Sequence, residues 1–350
     1  MLIIGCDFHT RFQQIALLDT QTGEIVERQL EHETGEAEQF YRSLSPPVRI
    51  GMESTGHAHW FERLLATLGH ELWVGDAARI RAAEVRKQKT DARDAAHILD
   101  LLVTNRFPRV WRPSPADRDV RQLLMHRQKL VWARSSVKNQ LQALAMNQGV
   151  CRRRKLWARA GRRALEDLAL GPWTSRRRQE LLALLDQLDG SIRELDRAVE
   201  EEAQKRTDAV RLMTHCGVGP VTALAFVLTL GPVERFRRSK QVVSYLGLNP
   251  REHSSGGRQR LGAISKQGNS MLRSLLVEAA HTASRFQPEL RRKYQRLKFR
   301  RGSGVAKVAI ARTLAVRLYW MLRETARPAQ PVRMQGSPGA ILVDASPSHF

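Results

Sequence analysis

LIIGCDFHT, residues 2–10, is a run of small and apolar residues that ends on an acid and a histidine. It reads as a buried strand whose C-terminal end presents Asp7. Working outward, QIALLD (14–19) follows a short polar turn as a second strand, and GEIVERQLE (23–31) is a third with alternating pattern. TGEAEQFYRSL (34–44) reads as a short helix opened by Thr34 as N-cap. VRIGMEST (48–55) is a strand ending at Glu53, HAHWFERLLATLG (57–69) a helix with a glycine stop, and HELWVGD (70–76) another strand. Residues 77–103 read as helical with a break near Lys89 and Thr90, Thr90 being the second N-cap. Three strands in a meander, then helix, strand, helix, strand, helix, predict an α/β domain on a mixed sheet.

The acids of this segment fall at element ends. If the fourth strand pairs back on the first, Asp7 and Glu53 become neighbours. Asp91 and Asp94, in KTDARDA (89–95), stand at i and i+3 on one helix face and come over them. Taken singly, each also reads as a turn residue or helix cap. Together they predict a metal site, because converging carboxylates repel unless cations bind, and Mg²⁺ (or Mn²⁺) favours such oxygen ligands. A pair of such ions clamps both oxygens of a phosphoryl displacement. His9, His57, His59 and His97 lie near the same acids, as substrate-facing candidates or as ordinary surface histidines.

Composition narrows the partner. The 350 residues include 58 Lys+Arg against 35 Asp+Glu, a formal charge of +23 and a pI near 11.1. Such an excess calls for a polyanion, and the preference for arginine favours paired contacts to phosphate. A hydrophobic content of 42% fills real cores and argues against wholesale disorder. No apolar run is long enough to span a bilayer, and the apolar start runs straight into Asp7, unlike a signal peptide or anchor. Cys6, Cys151 and Cys216 are odd in number, far apart and without metal-ligand spacing, which fits a reducing cytoplasm.

FPRVWRPSPADRD (107–119) marks a domain edge. The long helical pattern after it is apolar on one face and basic on the other. Further basic clusters follow at Arg152, Arg153 and Arg154 and in SRRRQ (175–179), with Trp132, Trp157 and Trp173 interleaved. These read as stripes along a phosphate backbone, or as solvated helix faces. From residue 180, Leu181, Leu184, Leu185, Leu188, Ile192, Leu195 and Val199 recur at near-heptad spacing with acids on the outer faces. That fits a coiled-coil arm for a homo-oligomer or a helical hairpin within the chain.

The C-terminal part opens with GVGP (217–220), where Gly217 and Gly219 fit a turn whose N–H groups meet a phosphate, or merely a tight turn before a buried helix. GLNPREHSSGGRQRLGAISKQGN (247–269) gathers Ser254 and Ser255, two glycines and His253 with Arg251, Arg258, Arg260 and Lys266. Guanidiniums take phosphate oxygens in pairs and a serine can attack phosphorus, so the stretch reads as a site gripping a phosphodiester or as a basic surface loop. Helices follow on either side of RRKYQRLKFRR (291–301), and the last residues, rich in Pro, Gly and Ser, read as a disordered tail.

These motifs, GCDFHT, GMESTG, KTDARDA, GVGP and the long SSGG-to-GN stretch, resemble the transposases of the insertion-sequence 110 family, in its 1111-like branch, over nearly the whole chain. The resemblance implies a ribonuclease H-like (resolvase-like) domain over 1–112 whose metal set is Asp7, Glu53, Asp91 and Asp94. It implies a basic helical linker and coiled-coil arm over 113–206. A mostly helical domain with a helix-hairpin-helix-like element and a nucleophilic serine then covers 207–325, and 326–350 is the tail. The serine immediately before Gly256 matches the family pattern, which selects Ser255 with Ser254 as alternative. Also implied are a covalent phosphoserine link to DNA, a structured non-coding guide RNA, and a dimer or tetramer built through the coiled coil. The competing reading is a metal-dependent, structure-specific nuclease in which water attacks and the serine is structural.

Overall fold

Five strands form one mixed sheet: β1 (Leu2–Phe8), β2 (Phe12–Asp19), β3 (Ile25–Glu31), β4 (Val48–Glu53) and β5 (Glu71–Gly75). Their order is β3-β2-β1-β4-β5, with β1–β2 and β2–β3 antiparallel and β1–β4 and β4–β5 parallel. The structure is a computed structural model that describes residues 1–83, 90–151, 156–254, 258 and 260–325. The chain divides into two compact units, Met1–Arg112 and Pro113–Phe350. The meander and the return of the fourth strand to the first are as expected from the apolar runs.

Helices α1 (Glu36–Ser43), α2 (His59–Thr67), α3 (Ala77–Ala82) and α4 (Asp91–Val103) complete the first unit. Ile4, Cys6, Ile15, Tyr41, Ile50, Met52, Phe61 and Leu65 are buried in one core cluster. The other face carries α4, whose Ala95, Ile98, Leu99 and Leu102 pack with Ile3, Ala16 and Phe107. One expected cap differs. The N-cap of α1 is Gly35 (φ 76°), with Thr34 one residue earlier, its hydroxyl 3.4 Å from the Glu36 N–H. A left-handed residue is needed where the chain turns into that helix, and glycine adopts it without strain.

In the second unit, α5 (Pro115–Asn147) and α7 (Pro172–Gln204) are each 33 residues long and pack along one another, with α6 (Arg159–Glu166) beside them. Leu182, Leu185 and Leu188 of α7 are buried with Val137, Leu141 and Leu144 of α5. Among the expected heptad positions Leu184 is instead 42% exposed. Arg127–Asp196 (2.6 Å) and Arg134–Asp189 (3.1 Å) join α5 to α7, and Arg162–Asp186 (2.8 Å) joins α6 to α7. Asp186, Asp189 and Asp196 of α7 thus meet basic residues of the same chain.

The remaining helices are α8 (Thr207–Met213), α9 (Pro220–Leu230), α10 (Ser239–Tyr245), α11 (Ser270–Phe286) and α12 (Pro288–Thr325), the last broken at Gly302 (φ 81°). They enclose a core of Leu224, Phe226, Leu276, Leu314 and Tyr319. Between α10 and α11 stands a small antiparallel hairpin, β6 (Pro250–Glu252) and β7 (Leu261–Ile264). Among the described residues, no helix is long and apolar enough to cross a membrane. The expected tail, 326–350, lies outside the described residues.

Candidate functional site

Two glycines seat the helix that carries half of the acidic set. Gly5 of β1 and Gly51 of β4 are register partners. A Cβ on Gly5 would lie 2.2 Å from the Ala95 carbonyl oxygen and 2.4 Å from the Leu99 nitrogen, so the backbone of α4 rests directly on β1. On Gly51 it would meet the Leu102 methyls at 2.6 Å. Residues alternate across a strand, so Gly5 and Asp7 share a face, as do Gly51 and Glu53, and His9 follows in the turn after β1. From Gly5 to Asp7 the strand advances by about 6.7 Å. From Ala95 back to Asp91 the helix retreats by about 6.0 Å. The two displacements match, and Asp7 meets the first turn of α4.

Thr90 caps that helix, its hydroxyl accepting from the Arg93 N–H at 3.4 Å as the sequence led us to expect. Asp91 and Asp94 both fall in the first turn, where unpaired N–H groups favour negative charge.

His9 joins the two elements. Its Nε2 lies 3.2 Å from Asp7 Oδ2 and 3.5 Å from Asp91 Oδ2. The tight β1–β2 turn, in which the His9 N–H donates to the Phe12 carbonyl at 3.0 Å, and the Phe12 ring 4.7 Å away hold the imidazole there. One ligand atom from each of Asp7, His9 and Asp91 falls within 4.8 Å of the others. Donors on opposite sides of one small divalent cation are about 4.2 Å apart. Two hard carboxylate oxygens at that spacing suit Mg²⁺ or Mn²⁺, and the imidazole adds a nitrogen donor.

The other two acids sit differently. Glu53 pairs with Arg81 of α3 at 3.2 Å, while that arginine is 69% exposed. Asp94 donates its backbone N–H to the Thr90 carbonyl at 3.0 Å and lies outside the three-residue cluster. Beneath Asp7, the fully buried Cys6 donates to Gln13 Oε1 at 3.0 Å. Burial first, and then the negative charge of Asp7, push its thiol far above the ordinary range. Cys6 therefore stays a neutral packing group. Of the remaining histidines, His97 bonds the Ile80 carbonyl at 3.1 Å, His59 lies 3.5 Å from Glu62, and His57 is exposed.

Ser255, Gly256 and Gly257 lie outside the described residues, as do Arg152, Arg153 and Arg154. Their neighbours are described. The Ser254 hydroxyl donates to Glu252 Oε1 at 2.7 Å and accepts from the Arg260 N–H at 3.1 Å, closing the β6–β7 hairpin on itself. Arg251, His253, Arg258, Arg260 and Lys266 are all exposed on or beside it. The base of the hairpin explains the flanking glycines. A Cβ on Gly247 would lie 2.2 Å from the Gln267 carbonyl oxygen, and one on Gly268 2.1 Å from that of Tyr245. Arg273 of α11 also donates to the Gln267 and Leu246 carbonyls.

Gly217 (φ 86°) is likewise committed to packing, since a Cβ there would lie 2.6 Å from the Ala279 carbonyl oxygen of α11. Gly219, the N-cap of α9, has open space around it. Among the expected basic stripes, Arg178 is buried and donates to the Leu165 and Leu168 carbonyls at 3.1 and 2.8 Å, so it ties α6 to α7. Trp157 packs at the edge of the α5–α7 core, with Trp132 and Trp173 exposed.

Comparison with known proteins agrees with this picture. Residues 4–147 match a transposase family of the DEDD type from IS110 elements, and residues 209–295 match the transposase IS116/IS110/IS902 family. A probable family 20 transposase of Pseudomonas aeruginosa is 32% identical over 92% of this chain and 97% of its own length. The transposase for insertion sequence element IS1111A of Coxiella burnetii is 30% identical over 70% of this chain and 69% of its own. The transposase for IS1328 of Yersinia enterocolitica is 30% identical over 69% and 72%. With both family matches in order along the chain and a relative aligned nearly end to end, the chain belongs to the IS110 family of transposases, enzymes of DNA transposition.

Proposed function

We propose that this transposase moves its own insertion sequence by cleaving and exchanging DNA strands through a 5′-phosphoserine link to Ser255, directed by a structured non-coding RNA. The observation that carries the reading is the meeting of Asp7 and Asp91 across His9 at the first turn of α4. Asp7, Glu53, Asp91 and Asp94 form the metal-binding set, with Mg²⁺ or Mn²⁺ as the ion. When bound, the ion supplies charge neutralisation for displacement at phosphorus. Asp7 and Asp91 hold it, and Glu53 is available because its partner Arg81 is solvent-exposed, so that their pairing is weak.

In the cleavage step the Ser255 Oγ–P bond forms as the P–O3′ bond breaks. The serine hydroxyl gives up one proton to solvent and the departing 3′ oxygen takes one up as a hydroxyl, so protons are conserved. The hydrogen bonds of Ser254 to Glu252 and Arg260 favour Ser255 as the nucleophile, because they use the Ser254 hydroxyl within the hairpin. Exposed Arg251, Arg258, Arg260 and Lys266 contact phosphates. Gly219 and Arg152, Arg153 and Arg154 belong to the nucleic-acid surface, while Gly217 seats the turn before α9 against α11.

Residues 1–112 act as the ribonuclease H-like catalytic domain and 113–206 as the helical arm of a homo-oligomer in the prokaryotic cytoplasm. Residues 207–325 form the serine domain, with α8 and α9 as its helix-hairpin-helix-like element. Mn²⁺ titration of wild-type protein and of Asp7→Asn and Asp91→Asn, with plasmid excision measured in parallel, tests the reading. Each variant is expected to lose at least tenfold in Mn²⁺ affinity, and excision, while retaining DNA. Wild-type affinity and excision in both would overturn it.

A further inference from the structure

A second basic site lies away from the serine hairpin, where the last turns of α11 meet the first arm of α12. A groove of about 430 Å³ there is lined by His281 and Arg285 of α11 and by Arg291, Tyr294, Gln295 and Lys298 of α12. The residues from α12 stand at i, i+3, i+4 and i+7, a single helix face. Among the described residues, neither Arg285 nor Lys298 pairs with an acid, and the Arg291 side chain donates to the Arg285 carbonyl, at 2.7 Å. Between Leu290 and Arg323 the sequence has no acid at all. The acid just before, Glu289, is taken by Arg317 at 2.7 Å. A groove so charged attracts phosphate without an internal carboxylate to compete.

One residue makes the site more specific than a basic surface. Phe299, one turn beyond Gln295 and next to Lys298, is 94% exposed. A phenylalanine with almost its whole ring in water, amid arginines and lysines, contributes nothing to the core. A duplex offers such a ring no free base face, whereas an unpaired strand does.

We propose that the α11–α12 groove holds a single strand of DNA, its phosphates on Arg285, Arg291 and Lys298 and a base stacked on Phe299. DNA is the favoured strand because transposition is the activity of the family, and cleavage and exchange free single strands. The inference rests on the transposase reading and extends it to a site separate from Ser255 and the Asp7–Asp91 cluster.

Fluorescence anisotropy of the full-length protein with labelled oligodeoxythymidine, duplex DNA and oligouridine tests it. Phe299→Ala is expected to weaken oligodeoxythymidine binding about 5- to 150-fold, the range for loss of one aromatic–base stack, with duplex binding within twofold. Arg285→Gln/Lys298→Gln is expected to flatten the log–log salt dependence for the single strand by about 1.4, as for two lost phosphate contacts. Equal weakening of single strand and duplex by Phe299→Ala, or no effect on either, would overturn the proposal. A wild-type preference for oligouridine that Phe299→Ala abolishes would overturn the choice of DNA. Because Ser255 is intact in these variants, their covalent linkage to DNA reports on the cleavage chemistry independently of the groove.

Discussion

Replacing Gly5 by alanine should disable the carboxylate centre without touching a single acid. The added Cβ would lie 2.2 Å from the Ala95 carbonyl oxygen and 2.4 Å from the Leu99 nitrogen, both of them backbone atoms of α4. A normal separation is about 3.5 Å, so the helix must lift from β1 by roughly 1 Å. Overpacking of that kind costs about 1–3 kcal/mol. Asp91 rides on the lifted helix while Asp7 stays on the strand. Misplacement of about 1 Å in a reacting constellation costs on the order of 100-fold in rate. Urea unfolding measures the first quantity and plasmid excision the second. Gly51→Ala is the control, because the nearest atoms its Cβ meets, at 2.6–3.0 Å, belong to the Leu102 side chain rather than to backbone, and a side chain can shift. Gly51→Ala should therefore retain most of its activity. Gly5→Ala with wild-type stability and excision within twofold would refute the seating of α4 on Gly5.

Ile192→Ala should cost about 2–5 kcal/mol, and by the same amount at every protein concentration, because Ile192 is buried within its own chain. A loss that varied with concentration would place that residue between copies instead. Gly190→Ala should stabilise α7 by about 0.5–1 kcal/mol in thermal or urea unfolding, since a Cβ there meets nothing within 4 Å. His215 predicts a pH dependence. Burial, and then the nearby Arg317 charge, hold its imidazole below the usual range, against a raising hydrogen bond to the Cys216 carbonyl. The unfolded chain therefore takes up the proton first. Stability from this group is complete above about pH 6.5 and is lost as pH falls toward the depressed folded value. His215→Gln should show a shallower loss between about pH 7 and 5 in unfolding experiments, and an unchanged slope would count against the burial argument.

The sheet order was legible because apolar runs punctuated by acids leave few arrangements in which the acids converge. The parallel pairing of β1 and β4 follows from that logic. What escaped was the role of the small residues. Gly5 and Gly51 stand two positions before Asp7 and Glu53, and this G-x-D and G-x-E spacing marks the face on which a helix lies flush. His9 gives less signal, because it stands in the turn just after β1, and a histidine in a turn reads more simply as surface.

Charge clusters were the least legible feature. Arg127, Arg134 and Arg178 look alike in sequence to arginines that face solvent. Only the partner helix reveals that two of them meet aspartates and the third meets carbonyls. The leucines of α7 were legible as a seam, and Leu182, Leu185 and Leu188 pack with α5 of the same chain. The β6–β7 hairpin left no alternating pattern to read, since PRE and LGAI are short and almost wholly exposed.

The pairing of a serine nucleophile with a carboxylate metal centre is tested most directly by trapping protein on DNA. Purified wild-type, Ser254→Ala, Ser255→Ala and Asp7→Asn proteins would be incubated with labelled element ends and Mg²⁺, then run on a denaturing gel. A covalent adduct in wild-type and Ser254→Ala that is absent from Ser255→Ala and Asp7→Asn is the predicted result. Cleaved DNA without any adduct, or an adduct that persists in Ser255→Ala, would contradict it.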